Sequence, residues 1–355
     1  MKKRVAIICG GRSSEHEISC TSAAGVIAAI DRSKYEPVLI GISKTGKWFL
    51  LPQSHPLSIS NGNLPSIPES GVSVALNVDG FTSDNENLRI DIAFPLLHGP
   101  YGEDGTIQGL LEIADIAYVG SGVLASAVAM DKSFAKPIFQ SQGIKVASGL
   151  VIREREWTES STAIQSAVDN LGYPLFVKPA RGGSSRGTTR VSSSAEFAAA
   201  LKYAHSFDPK ALVERAIVGA EIECAVLEID GVATASLVGR IMIDPKYPFY
   251  DFEAKYLDEA TTIELPAQIP QIISDQIQTL AVQAFTALGC SGLARVDFFL
   301  TDSNEIIINE LNTMPGFTET SVFPKMWAAS GISYTDVITH LIERSLQRTN
   351  GVLGG

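Results

Sequence analysis

The residues with the clearest capacity for chemistry lie between Gly292 and Ser321, in GLARVDFFLTDSNEIIINELNTMPGFTETS. Val296, Phe298 and Leu300 alternate with Asp297 and Phe299, Asn304 supplies a turn, and Glu305 to Asn309 leads back as a second apolar strand. This pattern predicts a β-hairpin. Asp297, Glu310 and Asn312 offer the hard oxygen donors that Mg²⁺ accepts, and the i, i+2 spacing of Glu310 and Asn312 puts both on one face of an extended strand. The same acidic residues also suit the solvent side of an ordinary hairpin, so on these residues alone both readings stand.

Three further stretches carry polar groups where chain turns expose backbone. Lys178-Pro179 ends a predicted strand that begins at Tyr173, and Ala180-Arg181-Gly182-Gly183-Ser184-Ser185-Arg186-Gly187 follows. Glycine and serine between strands expose N–H groups that can approach phosphate oxygens, with Lys178 as a point charge beside them. It is not a P-loop, because the GxxxxGK[ST] order is missing and no helix follows directly; a plain flexible hairpin is the other reading. Glu15 stands where the strand Val5 to Cys9 hands over to a small-residue helix through Ile30, and could hold a ligand amine or simply complement the helix dipole. His98 opens His98-Gly99-Pro100-Tyr101-Gly102-Glu103-Asp104-Gly105 at the carboxyl end of the strand Ile90 to Leu97, where open α/β sheets bind ligands or simply turn. PKYPFYDFEAKY, from Pro245 to Tyr256, has no strand or helix period. Its composition suits a loop that closes over a site, or an aromatic surface loop.

The elements that must position these residues change character along the chain. The opening β-loop-α unit and the next strand, Val38 to Ile42, predict a doubly wound α/β domain. It lacks GxGxxG and a ribose-binding acid, so a nicotinamide fold is a poor reading. Leu51 to Leu88 is rich in Pro, Ser, Asn and Gly and reads as a long connection with one small hairpin around Val72 to Val78. A helix is predicted from Thr106 to Ile113, and Asp131-Lys132 opens another. From Val146 onward the signals are those of antiparallel strands, among them Ala211 to Glu214 and Ile222 to Ile229, with helices at Gln271 to Leu288 and Tyr334 to Gln347.

Length and composition bound the function classes. At 355 residues, 45% apolar and 19% charged, the chain is long for one core and ordinary for a folded multidomain protein. A net charge of −11 argues against a general nucleic-acid or membrane-surface binder, which needs surplus Lys and Arg. No stretch reaches the ~18 apolar residues of a membrane span, and the N-terminal apolar run is too short for a signal peptide, so a cytoplasmic location is expected. Cys9, Cys20, Cys224 and Cys290 form no CxxC pair and the five histidines show no zinc spacing.

Taken together and in order, GGRSSEHEIS, HGPYGEDG, VKPARGGSSRG, YDFEAKY, ARVDFF and NELNTMPGFTETS resemble the D-alanine:D-alanine ligase family, carboxylate-amine ligases of the ATP-grasp superfamily, over nearly the whole chain. The resemblance implies a three-domain α/β fold: a doubly wound parallel domain over residues 1–130, then α+β architecture, with an antiparallel-sheet domain bearing the Gly/Ser lid over 131–220 and a second over 221–355, ATP lying between the last two. By position it implies that Asp297, Glu310 and Asn312 hold two Mg²⁺ or Mn²⁺ ions, with a monovalent cation as a further candidate. It implies that Lys132, Lys178, Ser184 and Ser185 meet the ATP phosphates, that Glu214 meets the adenine and Glu221 the ribose, and that Ile217 and Phe249 belong to the nucleotide site. Glu15 and His98 fall at the first D-alanine, Ser321 at the second, and Arg295 with the Gly316 N–H at the oxyanion. Lys255 and Tyr256 fall in a mobile loop, lysine toward phosphate and tyrosine toward Ser184 and Glu15.

The chain departs from the family at Gly182 and Arg186, which is expected to loosen the lid, and at Arg215-Ala216, which leaves little packing over the purine. Family membership implies D-alanine and ATP as ligands, a homodimer, and cell-wall precursor synthesis. D-alanine:D-lactate and D-alanine:D-serine ligases, and a catalytically silent ATP-binding regulator on the same fold, are the rival readings. The Lys255-Tyr256 pair favours the dipeptide product.

Overall fold

The computed structural model describes residues 1–58, 64–243 and 261–348. Three sheets organise them. In the first, Lys3–Gly10 lies between Tyr35–Ile42 and Ile92–Pro95, parallel to both. Each residue from Val5 to Cys9 is fully buried, as expected of a central strand covered on both faces. Val5, Ile7 and Cys9 face one core with Cys20, Ala23 and Val26 of the helix His16–Ala29. Ala6 and Ile8 face another with Ile107 and Leu111 of the helix Thr106–Ile113. The period of two is thus split between two cores.

The Pro- and Ser-rich connection does more than the sequence pattern indicates. Trp48–Leu51, Val72–Asn77, Gly80–Ser83 and Glu86–Asn87 extend the parallel strands as an antiparallel meander, giving seven strands in all. The expected hairpin near Val72 is present, but it is stitched into the sheet rather than standing alone.

The second sheet has the order Thr189–Val191, Leu175–Pro179, Lys210–Arg215, Gly149–Arg153, all antiparallel. Helices Glu154–Leu171 and Ser194–His205 cover it through Val168, Phe197 and Leu201. In the third, Ala220–Ile229 pairs with Leu293–Leu300, which pairs with Ile306–Asn312, the expected hairpin. Gly239–Ile243 and Thr261–Glu264 continue it on the other side. The helix Gln271–Ala287 packs one face through Ile277, Ala281 and Phe285. On the other face Ala225, Leu227 and Leu293 join Phe317, Trp327 and Leu341 in the same core as Val5 and Ile7. The first and third sheets are therefore welded by one apolar core, while the second carries its own.

Candidate active site

A cleft of about 560 Å³ opens between the second and third sheets. Lys132, Lys178, Ser184, Ser185, Glu214, Ile217, Glu221 and Glu310 all line it. The floor depends on a local irregularity. Phe298 pairs with Ile308 and Asp297 with Glu310, which leaves Asn309 as an extra residue. In a regular strand Asn309 and Glu310 would point to opposite faces; the bulge lets both line the cleft.

Charges in the cleft are paired and buried. Lys132 Nζ lies 2.8 Å from Glu310 Oε2 and donates to the Gly182 carbonyl at 2.9 Å. Burial pulls the Lys132 ammonium down, but Glu310, with Glu214 and Glu103 behind it, holds it above the ordinary lysine range. Lys178 Nζ is 2.7 Å from Glu214 Oε2 and donates to Asn309 Oδ1 at 3.3 Å. The other Glu214 oxygen meets Lys136, which the sequence pattern does not single out. Burial lowers Lys136 to about 8, partly opposed by Glu214. Burial also works against the Glu214 carboxylate, yet Lys178 and Lys136 together bring it below its usual value. The missed signal is the i, i+4 spacing of Lys132 and Lys136 on the helix Lys132–Ser141, which puts both ammonium groups on one face.

Beside the cleft, Glu223, Asp297 and Glu310 lie in register across three neighbouring strands, with their side chains on one face. Such a row of carboxylates needs cations. Arg295 forks onto both oxygens of Asp297 at 2.7 Å and reaches Glu223 Oε2 at 3.0 Å. Asn312 Nδ2 donates to Asp297 Oδ2 at 3.0 Å. Among the described residues no three His, Cys, Asp or Glu side chains converge as a metal-binding group. The predicted set counts only two carboxylates and one amide, a donor set of the hard-oxygen kind that fits a cation such as Mg²⁺.

The Glu15 carboxylate, on a residue only 6% exposed, lies at the start of the first helix. It accepts a hydrogen bond from Ser184 Oγ, so the Gly/Ser loop of the second sheet reaches the first. A Cβ on Gly99 would come 2.4 Å from Glu15 Oε2 and one on Gly183 3.1 Å, so both loops approach the carboxylate through bare backbone.

His98 is buried beside Glu15. Desolvation, opposed by Glu15, lowers its pKa and keeps it neutral. Its Nδ1–H donates to the Met314 carbonyl at 3.0 Å and its Nε2 accepts from Ser22 at 2.9 Å. Glu103 completes the grip, accepting from Gly99 N at 2.6 Å and from Met314 N at 3.3 Å. Burial, reinforced by the nearby Glu15, raises the Glu103 carboxyl to about 8. Both backbone groups of Met314 are thus held by the His98 loop, and two residues on stands Gly316. A Cβ on Gly316 would lie 3.3 Å from Ser321 Oγ, and that hydroxyl caps the Thr318 N–H at 3.1 Å. Phe249, Lys255 and Tyr256 lie outside the described residues.

Comparison with known proteins gives this arrangement its context. The family model described as D-ala D-ala ligase N-terminus matches residues 4–121, and that described as D-ala D-ala ligase C-terminus matches residues 138–343. A D-alanine–D-alanine ligase of Arthrobacter sp. is 48% identical over 99% of this chain and 96% of its own length. The Mycobacterium leprae ligase of the same name is 44% identical over 98% and 95%. Among solved structures, a D-Ala:D-Ser ligase from Enterococcus faecalis is similar with a TM-score of 0.85 and 36% identity, covering 97% of this chain and 100% of its own. The D-alanine-D-alanine ligase from Coxiella burnetii is similar with a TM-score of 0.82 and 35% identity, covering 97% and 95%. With both terminal models matched and full-length relatives near half identity, the chain belongs to the D-ala D-ala ligase family.

Proposed function

We propose that the protein joins two D-alanine molecules at the expense of ATP, releasing ADP and phosphate, in the making of a cell-wall precursor. The observation that carries this reading is the Ser184–Glu15 contact, which brings the Gly/Ser loop of the large cleft onto the carboxylate of the first sheet. A nucleotide site and an amino-acid site separated by one shared loop suit a reaction in which phosphate moves from one to the other. A carboxylate is a poor electrophile. The first D-alanine's carboxylate oxygen attacks the γ-phosphorus, the bond to the bridging oxygen breaks, and ADP leaves behind an acyl phosphate. The second D-alanine's amine attacks the acyl carbon, and the tetrahedral intermediate expels phosphate.

In this reading Glu15 takes the ammonium of the first D-alanine, and His98 braces the loop beside it. Lys132, Lys178 and the N–H groups of Ser184 and Ser185 hold the ATP phosphates, Glu214 and Ile217 the adenine, and Glu221 the ribose. Arg295 and the Gly316 N–H stabilise the oxyanion, and Ser321 takes the carboxylate of the second D-alanine. Asp297, Glu310 and Asn312 would hold Mg²⁺ or Mn²⁺, which when bound neutralises phosphate oxygens during transfer. Closure of the Ser184 loop excludes the water that would hydrolyse the acyl phosphate; Lys255, Tyr256 and Phe249 are assigned to the same wall by sequence position alone. The three sheets correspond in this reading to lobes of residues 1–130, 131–220 and 221–355.

No helix among the described residues is long and apolar enough to cross a membrane, which accords with a cytoplasmic enzyme, and a homodimer is the assembly we expect. Relatives 44–48% identical over nearly the whole chain are D-alanine–D-alanine ligases, which supports D-alanine as acceptor. Phosphate release with ATP and Mg²⁺ should require D-alanine and yield D-alanyl-D-alanine by mass. Release that is independent of D-alanine, or a preference for D-serine or D-lactate as acceptor, would overturn the assignment.

A further inference from the structure

A second cavity, of about 270 Å³, opens at the carboxyl ends of Lys3–Gly10 and Tyr35–Ile42 and just beyond Ile92–Pro95. The central strand has a parallel neighbour on each side there, so the connections leave in opposite directions, the position at which open α/β sheets form a binding crevice. Its floor, with Ile42, Leu97 and Ile107, belongs to the core on the sheet face away from the helix His16–Ala29. Of the residues assigned to the ligase reaction, only His98 touches it.

The wall is mostly apolar, with Ser13, His98 and Thr106 as its neutral polar side chains and, among the described residues, Arg12 as its one formally charged side chain. Trp48, Leu97, Ile107 and Leu110 line it, and Leu110 is 41% exposed. The Arg12 guanidinium lies 5.0 Å above the centroid of the Tyr101 ring at the same opening. Its side chain crosses Gly46, whose φ is +91° and where a Cβ would come 3.0 Å from Arg12 Cδ. Arg12 is therefore laid between a bare backbone and an aromatic face, which orient the guanidinium without neutralising it. Among the described residues it makes no ion pair.

We propose that this cavity is a second small-molecule site, for a monocarboxylate with an aryl or branched-alkyl body. The carboxylate pairs with the fork of Arg12, and the body packs against Trp48, Leu97 and Leu110. A small amino acid is a poor occupant, because its ammonium would stand beside Arg12 against an apolar wall with no carboxylate to meet it. The site has a short route to the Glu15 cluster. Ser13, in the cavity wall, donates through Oγ to the His98 carbonyl at 2.7 Å and accepts from Glu15 N at 3.1 Å. An occupant that shifts Ser13 alters D-alanine affinity, and D-alanine alters the occupant's affinity by the same factor.

The test is calorimetric titration of the full chain with 3-phenylpropionate, with 3-phenylpropanamide as the uncharged control. The acid should bind at one site, and the amide should bind about tenfold more weakly for want of the charge-assisted pair. Arg12→Gln should weaken the acid by a similar factor with an unchanged circular dichroism spectrum and melting temperature, and Leu110→Trp should fill the cavity and abolish binding. Saturating ATP and D-alanine should leave the acid bound. No binding of the acid, equal affinity for acid and amide, indifference to Arg12→Gln, or competitive displacement, in which the acid's apparent affinity keeps falling as D-alanine or ATP is raised, would each overturn the proposal. None of these readouts depends on ligase turnover.

Discussion

Ser184 Oγ donates a hydrogen bond to the Glu15 carboxylate, joining the loop over the large cleft to the first helix of the N-terminal sheet across 169 positions of sequence. Ser184 has φ +50° and Ser185 +57°, a conformation that costs a non-glycine residue energy and needs such a contact to hold it. Ser184→Ala removes one hydrogen bond to a charged acceptor, worth roughly 1.5–3 kcal/mol when fully desolvated and less in this part-buried setting. The Michaelis constant for D-alanine should rise about tenfold, with that for ATP less affected. Steady-state kinetics in each substrate decide it, and unchanged D-alanine constants would make the contact incidental.

Glu15 is also confined by glycine. Gly99 has φ +71°, and a Cβ there would stand 2.4 Å from Glu15 Oε2. Gly99→Ala should cost about 1 kcal/mol in backbone strain and displace the carboxylate. The loss should appear in D-alanine binding, while nucleotide binding measured by calorimetry stays near normal.

Asp297 and Glu310 are held by Arg295 and Lys132 respectively. Asp297→Asn and Glu310→Gln each take an anionic oxygen from the candidate divalent set while keeping the volume. Both variants should fold and lose most turnover, with a higher Mg²⁺ requirement for whatever remains. Phosphate release at wild-type rate and at the same Mg²⁺ dependence would return these residues to an ordinary salt-bridge role.

Lys136 and Lys178 together neutralise one buried carboxylate, Glu214. Lys136→Met leaves that carboxylate paired one to one with Lys178 and should cost about 1 kcal/mol, whereas Glu214→Gln leaves both lysines without their carboxylate and should cost about 3 kcal/mol, since an uncompensated buried charge costs more than the pair contributes. Adding Lys136→Met to Glu214→Gln should recover part of the larger loss, because one buried cation fewer is then left without a carboxylate. Denaturant unfolding of the two single variants and the double variant measures this, and additive losses would contradict it.

Glu103 introduces a pH dependence. Burial raises its carboxyl from 4.5 to about 8. The folded protein then holds this proton more tightly than the unfolded chain does. Its contribution to stability is greatest at low pH and declines as pH climbs from about 4.5 to about 8. Glu103→Gln should flatten that part of the melting-temperature profile, at a cost of about 1 kcal/mol for one weakened backbone contact. A wild-type-minus-variant difference that is constant over this range would refute the assignment.

The sequence by itself determined the elements whose signals are local. The alternation of Val296, Phe298 and Leu300, with Asn304 in the left-handed turn conformation at φ +60°, is a hairpin written in neighbouring residues. The helices Thr106–Ile113 and Tyr334–Gln347 end where their apolar period ends. The order of six motifs was enough to identify the family, and through it the residues that the cleft gathers. Tertiary structure alone decided how those residues act on one another. Asn309 becomes the bulge only because Ile308 and Glu310 pair with Phe298 and Asp297 on another strand. Glu214 meets Lys136 across 78 positions, and Met314 is gripped by His98 and Glu103 from more than 200 residues earlier. Leu51 to Leu88 joined the first sheet because Leu39 to Ile42 offered an unpaired edge to Trp48–Leu51, which in turn offered one to Val72. A strand's period of two depends on side chains adjacent in the chain, whereas bulges, buried ion pairs and edge pairing depend on which distant segment arrives, and no local pattern records that.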